Sequence, residues 1–174
     1  MISYQARKYP MSKTNIFKKL KILVAPIAMT IILLWIRFQY SGLEFHTFAE
    51  LFSVVVGILM LIIVWNTRMF TKNAFLVYLG IGYFWIAILD VFHTFTFMGM
   101  PFFNIKGPEV MIHFWIYARY MESLLLLTAP IFLKKKLNEK LMLYGMGLVV
   151  LFLSWAAFNR LAPVMFTPKG VDTI

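Results

Sequence analysis

Apolar residues dominate five stretches of the chain, at about 22–40, 45–66, 74–97, 112–133 and 139–158, and polar residues collect between them. Each stretch is near the roughly 20 residues an α-helix needs to cross the hydrocarbon core of a bilayer. The pattern predicts an all-α fold, a polytopic transmembrane bundle of five spans, with residues 1–21 as a basic leader and 22–174 as the membrane domain. The opening MISYQARKYPMSKTNIFKKLKILVAPIAMTIILLWIRF has the basic-then-apolar order of a signal peptide. No A-x-A-like cleavage site follows, and the apolar run is long enough to span, so it reads as a retained first helix.

The gaps set the topology. Arg7, Lys8, Lys13, Lys18, Lys19 and Lys21 precede the first span, Arg68 and Lys72 lie between the second and third, and Lys134, Lys135, Lys136 and Lys140 between the fourth and fifth. Twelve of 17 basic residues thus fall on one side, which the positive-inside rule makes cytoplasmic together with the N-terminus. The segments WNTRMFTKN and LKKKLNEK read as short cytoplasmic turns joining antiparallel neighbours. SGLEFH, the loop MGMPFFNIKGPEV with its Gly and Pro breakers, and the tail NRLAPVMFTPKGVDTI fall outside. A chain that stops in an outer segment, with no soluble module on either side, reads as the incomplete start of a longer protein.

Composition agrees with this picture. Of 174 residues, 61% are hydrophobic and only 14% charged, well outside the range of soluble domains. The absence of cysteine excludes disulfides, thiolate metal sites and cysteine nucleophiles, leaving His, carboxylate and backbone ligands for any metal. The net charge of +10 sits in clusters beside apolar spans, where it reads as a topology signal and a contact with anionic lipid, not with nucleic acid.

Against so apolar a background the internal ionisable residues stand out. His46 and Glu50 enter the second span at i and i+4, Asp90 and His93 leave the third at i and i+3, and Arg119 and Glu122 lie at i and i+3 in the fourth. Each pair shares a helix face. At 1.5 Å per residue, Glu50 lies roughly 8 Å below the outer boundary, Asp90 and Arg119 about 10 Å, and Glu122 about 15 Å. Placing such groups in lipid costs at least about 2.5 kcal/mol each, so they are expected to face one another, a cavity or a bound species in the outer leaflet. One reading is a structural network, with Arg119 paired to Glu50, Asp90 or Glu122. The other is a ligand site made of His46, Glu50, Asp90, His93, Arg119 and Glu122.

For that site several occupants stay open. His46, Glu50, Asp90 and His93 form a nitrogen and oxygen set suited to a transition metal, and histidines from facing helices could hold a haem. The arginine suits an anionic or hydrogen-bonding small ligand better. His113 stands at the mouth of the fourth span. Trp115 and Tyr120 are aromatics that could touch a ligand, while Gly80, Gly82, Gly145 and Gly147 read as sites of close helix approach. No nucleophile elbow surrounds a serine and no Gly-rich phosphate loop occurs, so this segment is not expected to be an enzyme.

Taken in order, HTFAELFSVVVGILMLIIVWNTR, YLGIGYFWIAILDVFHTFTFMGM and FWIYARYMESLLLLTAPIFLKKKL resemble the membrane-associated sensor domain of the third type, over roughly residues 43–174. The motifs HT-x-x-E, LD-x-x-HT and W-x-x-x-RY-x-ES fall on His46, Glu50, Asp90, His93, Arg119 and Glu122 and leave His113 outside. The resemblance implies a bacterial inner-membrane input domain. It would act on a cytoplasmic histidine kinase, as in two-component systems, or on a cyclic-di-GMP enzyme, and it leaves a homodimer open. The alternatives are a transporter or permease fragment and a membrane oxidoreductase subunit holding haem or metal.

Overall fold

The computed structural model describes residues 13–103 and 107–164. The basic leader up to residue 12, loop positions 104–106 and the tail from residue 165 lie outside the described residues. Five helices follow in order: α1 (Lys13–Gln39), α2 (Gly42–Thr71), α3 (Ala74–Thr96), α4 (Glu109–Thr128), continued by a 3₁₀ segment (Ala129–Leu133), and α5 (Glu139–Phe158). No strand occurs among the described residues. Four of these, with α4 counted through Leu133, are long and apolar enough to cross a membrane. The described apolar part of α1 is shorter, Leu23–Gln39.

The chain divides into two compact units between Phe45 and His46. In its described part the first holds α1 and the opening of α2. Pro26 lies inside α1, and Thr30 Oγ1 donates to the Pro26 carbonyl at 2.9 Å. The start of α2 is fixed by a capping box. Ser41 Oγ accepts from the Glu44 N–H at 3.4 Å, and Glu44 Oε2 accepts from the Ser41 N–H at 2.7 Å.

The second unit is the bundle, and α3 runs through its middle. Tyr78, Ile86 and Leu89 are buried in one cluster with Phe114, Ala118, Met121 and Leu125 of α4 and Val150 and Ala157 of α5. By contrast α2 buries only Val54 and Gly57 fully and turns residues such as Val55, Leu59 and Ile63 outward. In a hydrocarbon solvent such an apolar surface carries no penalty, so close approach rather than hydrophobic exclusion must hold α2 in place. Gly57 supplies that approach, because a Cβ there would stand 2.8 Å from the Ala87 Cβ and 2.9 Å from the Tyr83 carbonyl oxygen. Gly147 does the same beneath the Trp85 ring, whose Nε1 donates to the Leu143 carbonyl at 2.9 Å. Gly145, expected to do likewise, has open space around it.

Several boundaries differ from the sequence pattern: α1 already begins at Lys13, inside the expected basic leader, and the ends of α2 and α4 are also shifted. The segment WNTRMFTKN is not a loop: α2 continues through Thr71, and the turn is only Lys72 and Asn73, with Lys72 in the left-handed region (φ 47°). Side chains of Asn66, Thr67 and Thr71 donate back to carbonyls four residues earlier, which lets a polar segment stay helical. Arg68 folds over the Trp65 ring at 4.0 Å and donates to the Trp65 carbonyl. Asn73 then caps α3, and Asn138 caps α5, each side chain accepting from the N–H three residues on. At its far end α4 tightens into the 3₁₀ segment where Pro130 enters, since proline removes a donor and crowds the preceding turn.

Candidate functional site

The i, i+3 spacing on α4 aims Arg119 and Glu122 at the same side, and Arg119 Nη1 donates to Glu122 Oε2 at 2.7 Å. Ser123 fastens the same turn by donating to the Arg119 carbonyl at 2.8 Å. Across the helix interface Arg119 Nη2 reaches both oxygens of Asp90 on α3, at 2.9 and 3.0 Å. Asp90 is only 4% exposed and sits where Thr94 Oγ1 ties down its backbone carbonyl at 2.8 Å. A carboxylate so enclosed is tolerated because a charged donor meets it, and such charge-assisted bonds are roughly twice as strong as neutral ones. Arg119 Nε is buried without a hydrogen-bond partner.

A cavity of about 410 Å³ opens beside this ion pair. Asp90, Arg119 and Glu122 form its polar wall; Phe52, Val56 and Met60 of α2 and Ile86 of α3 form its apolar side. Tyr83 and Ser53 also line it. The sequence reading missed both, although Tyr83 lies two turns before Asp90 and Ser53 one turn after Glu50, each on the face already marked. Trp115 and Tyr120, named from sequence as aromatics that could meet a ligand, are instead 49% and 68% exposed and do not line the cavity.

The remaining three residues gather in a second cluster. His46 and Glu50, one turn apart on α2, and His93 on α3 bring ligand atoms within 4.8 Å of one another. The two imidazoles meet edge to face at 5.4 Å, and Phe97 lies against the His46 ring at 4.1 Å. His93 is buried, and its Nδ1 stands 2.8 Å from the Met111 carbonyl, which fixes Nδ1 as the protonated nitrogen. His46 Nε2 is buried with no hydrogen-bond partner. Glu50 lies close enough to Asp90 and Arg119 to interact with both electrostatically, so the clusters adjoin. The six residues thus form two neighbouring groups rather than one ring. Asp90, proposed among the metal ligands, has both oxygens engaged by Arg119.

His113 belongs to neither. It is fully buried, and its Nε2 donates to the carbonyl of Pro163, at 3.0 Å, in the segment beyond α5.

These features define a multi-pass α-helical membrane domain with an ionic centre between its helices. A family model described as MASE3, membrane-associated sensor domain, matches residues 37–173, and the chain belongs to that family. No curated protein and no solved structure matches it.

Proposed function

We propose that this domain is the sensory input of a bacterial signal-transduction protein, and that its stimulus is a small ligand or ion received in the space between α2, α3 and α4. The observation that carries the reading is the Arg119 guanidinium, held by Asp90 and Glu122 at the wall of the 410 Å³ cavity. Ionisable residues inside a membrane bundle are costly and usually serve a task beyond packing. An incoming group that competes for Arg119, or that adds charge beside Glu50, changes which carboxylates hold α3 to α4. Because α2 rests on α3 through Gly57, a change at this wall also changes the α2 seat.

A ligand shifts such an equilibrium only by its differential affinity for two arrangements of the helices, typically about 1 to 3 kcal/mol. The shift would pass to a cytoplasmic effector, a histidine kinase or a cyclic-di-GMP enzyme, encoded after this segment. The clustering of Lys and Arg favours a cytoplasmic N-terminus in the inner membrane, with the ionic centre toward the outer leaflet.

The test is made on the complete protein. Arg119→Ala and Glu50→Gln should each alter effector output while the protein still inserts. Unchanged output from both, with normal insertion, overturns the reading. The downstream coding sequence gives a second arm: a kinase or cyclase module supports a sensor, and a chain of further spans alone supports transport.

A further inference from the structure

Three carboxylates, Glu50, Asp90 and Glu122, interact with the one guanidinium of Arg119, which leaves an excess of two negative charges when all are ionised. In a low-dielectric interior such an excess is expensive, and it calls for a cation or for protons. The cluster next to Arg119 has the donors to take a cation. His46 Nε2 is a buried nitrogen with no partner, and the Met111 carbonyl leaves His93 with its lone pair on Nε2. A backbone carbonyl orienting one ring nitrogen while the other faces outward is the usual outer-shell support of a metal-binding histidine. Glu50 completes the set from the turn following His46.

We propose that His46, Glu50 and His93 form a binding site for one divalent transition-metal ion. Two imidazoles and one carboxylate suit zinc and its neighbours in the first transition row, whereas magnesium and calcium prefer all-oxygen shells. Donor atoms around a tetrahedral zinc stand about 3.3 Å apart, so the present 4.8 Å limit asks for a contraction of about 1.5 Å at the widest pair. Glu50, on a half-buried and flexible side chain, can supply it. The three residues leave at least one coordination position open, and His46 lies near the start of α2, within reach of the aqueous boundary. Metal binding here would offset the negative excess beside Arg119 and draw α2 toward the end of α3. The site deepens the sensor reading and depends on it only for its meaning, since binding is measured on the domain itself.

The experiment uses the full 174-residue chain in lipid nanodiscs, stripped with chelator and titrated with zinc against a chromophoric competitor, with bound metal counted by elemental analysis. One zinc per chain is expected. Affinity should fall at least about tenfold in Glu50→Gln, which keeps the shape of the side chain, and in His46→Ala, but should hold in His113→Asn. Cobalt in place of zinc should give visible ligand-field bands that disappear in the same two variants. A folded wild-type chain that binds no stoichiometric zinc overturns the site, as does equal binding by wild type, Glu50→Gln and His46→Ala. In the complete protein, zinc bound with no response of output leaves the site standing and counts against the sensor reading. Output that responds to Arg119→Ala in a protein that takes up no zinc does the reverse.

Discussion

Two arginines of this bundle make contacts of similar length with carboxylates in opposite surroundings. Arg68, at the end of α2, meets Glu139 at the start of α5 at 3.1 Å, and both side chains are partly exposed, 25% and 37%. Arg119 meets Asp90 at 2.9 Å, where the arginine side chain is 42% exposed but the aspartate only 6%. At the first site water and salt screen the pair, and the tryptophan ring beneath Arg68 holds the guanidinium in place whether or not Glu139 is present. At the second site the arginine cannot be removed without leaving the Asp90 charge in a medium that does not solvate it. Similar distances therefore carry different consequences. The pair with the enclosed aspartate limits which helix arrangements the bundle can adopt, and the exposed pair adds little beyond joining two ends.

The sharpest way to break the contrast is Arg119→Ala. It should destabilise the bundle by about 3 to 5 kcal/mol, read as unfolding in mixed detergent, because Asp90 is stranded. The double change Arg119→Met with Asp90→Leu should recover most of that loss while effector output stays defective, which would separate stability from signalling. Next in size is Gly57→Val, where the added side chain meets Ala87 and the Tyr83 backbone; a loss of about 1 to 3 kcal/mol and altered output are expected. Smaller still is Glu139→Gln, which should cost less than about 1 kcal/mol, a difference that should vanish in 1 M salt. If Glu139→Gln proves as damaging as Arg119→Ala, the distinction between the two arginines fails.

Much of the architecture was legible in the sequence because lipid imposes a simple grammar. The bounds of α5 match the expected span, and those of α3 differ by one residue. The end of α2 was hidden because Asn66, Thr67 and Thr71 look like turn residues, and their hydrogen bonds back to their own helix are invisible until the helix exists. The 3₁₀ ending of α4 could have been read from Pro130. For the candidate site, the spacing of Asp90 with His93 and of Arg119 with Glu122 showed which residues share a face. It could not show which carboxylates Arg119 would choose. That choice depends on the rotation and depth of neighbouring helices, which close contacts such as Gly57 on Ala87 help to set, and depth estimates from span boundaries are too coarse to divide six residues into two clusters.

The hydrogen bond from His113 to Pro163 has one further consequence. His113 lies less than two turns from Arg119 on the same helix, so the segment just after α5 is tethered to the rod that bears the guanidinium. Any roll of that rod is therefore felt at Pro163, one side chain away from the helix that bears the ionic centre.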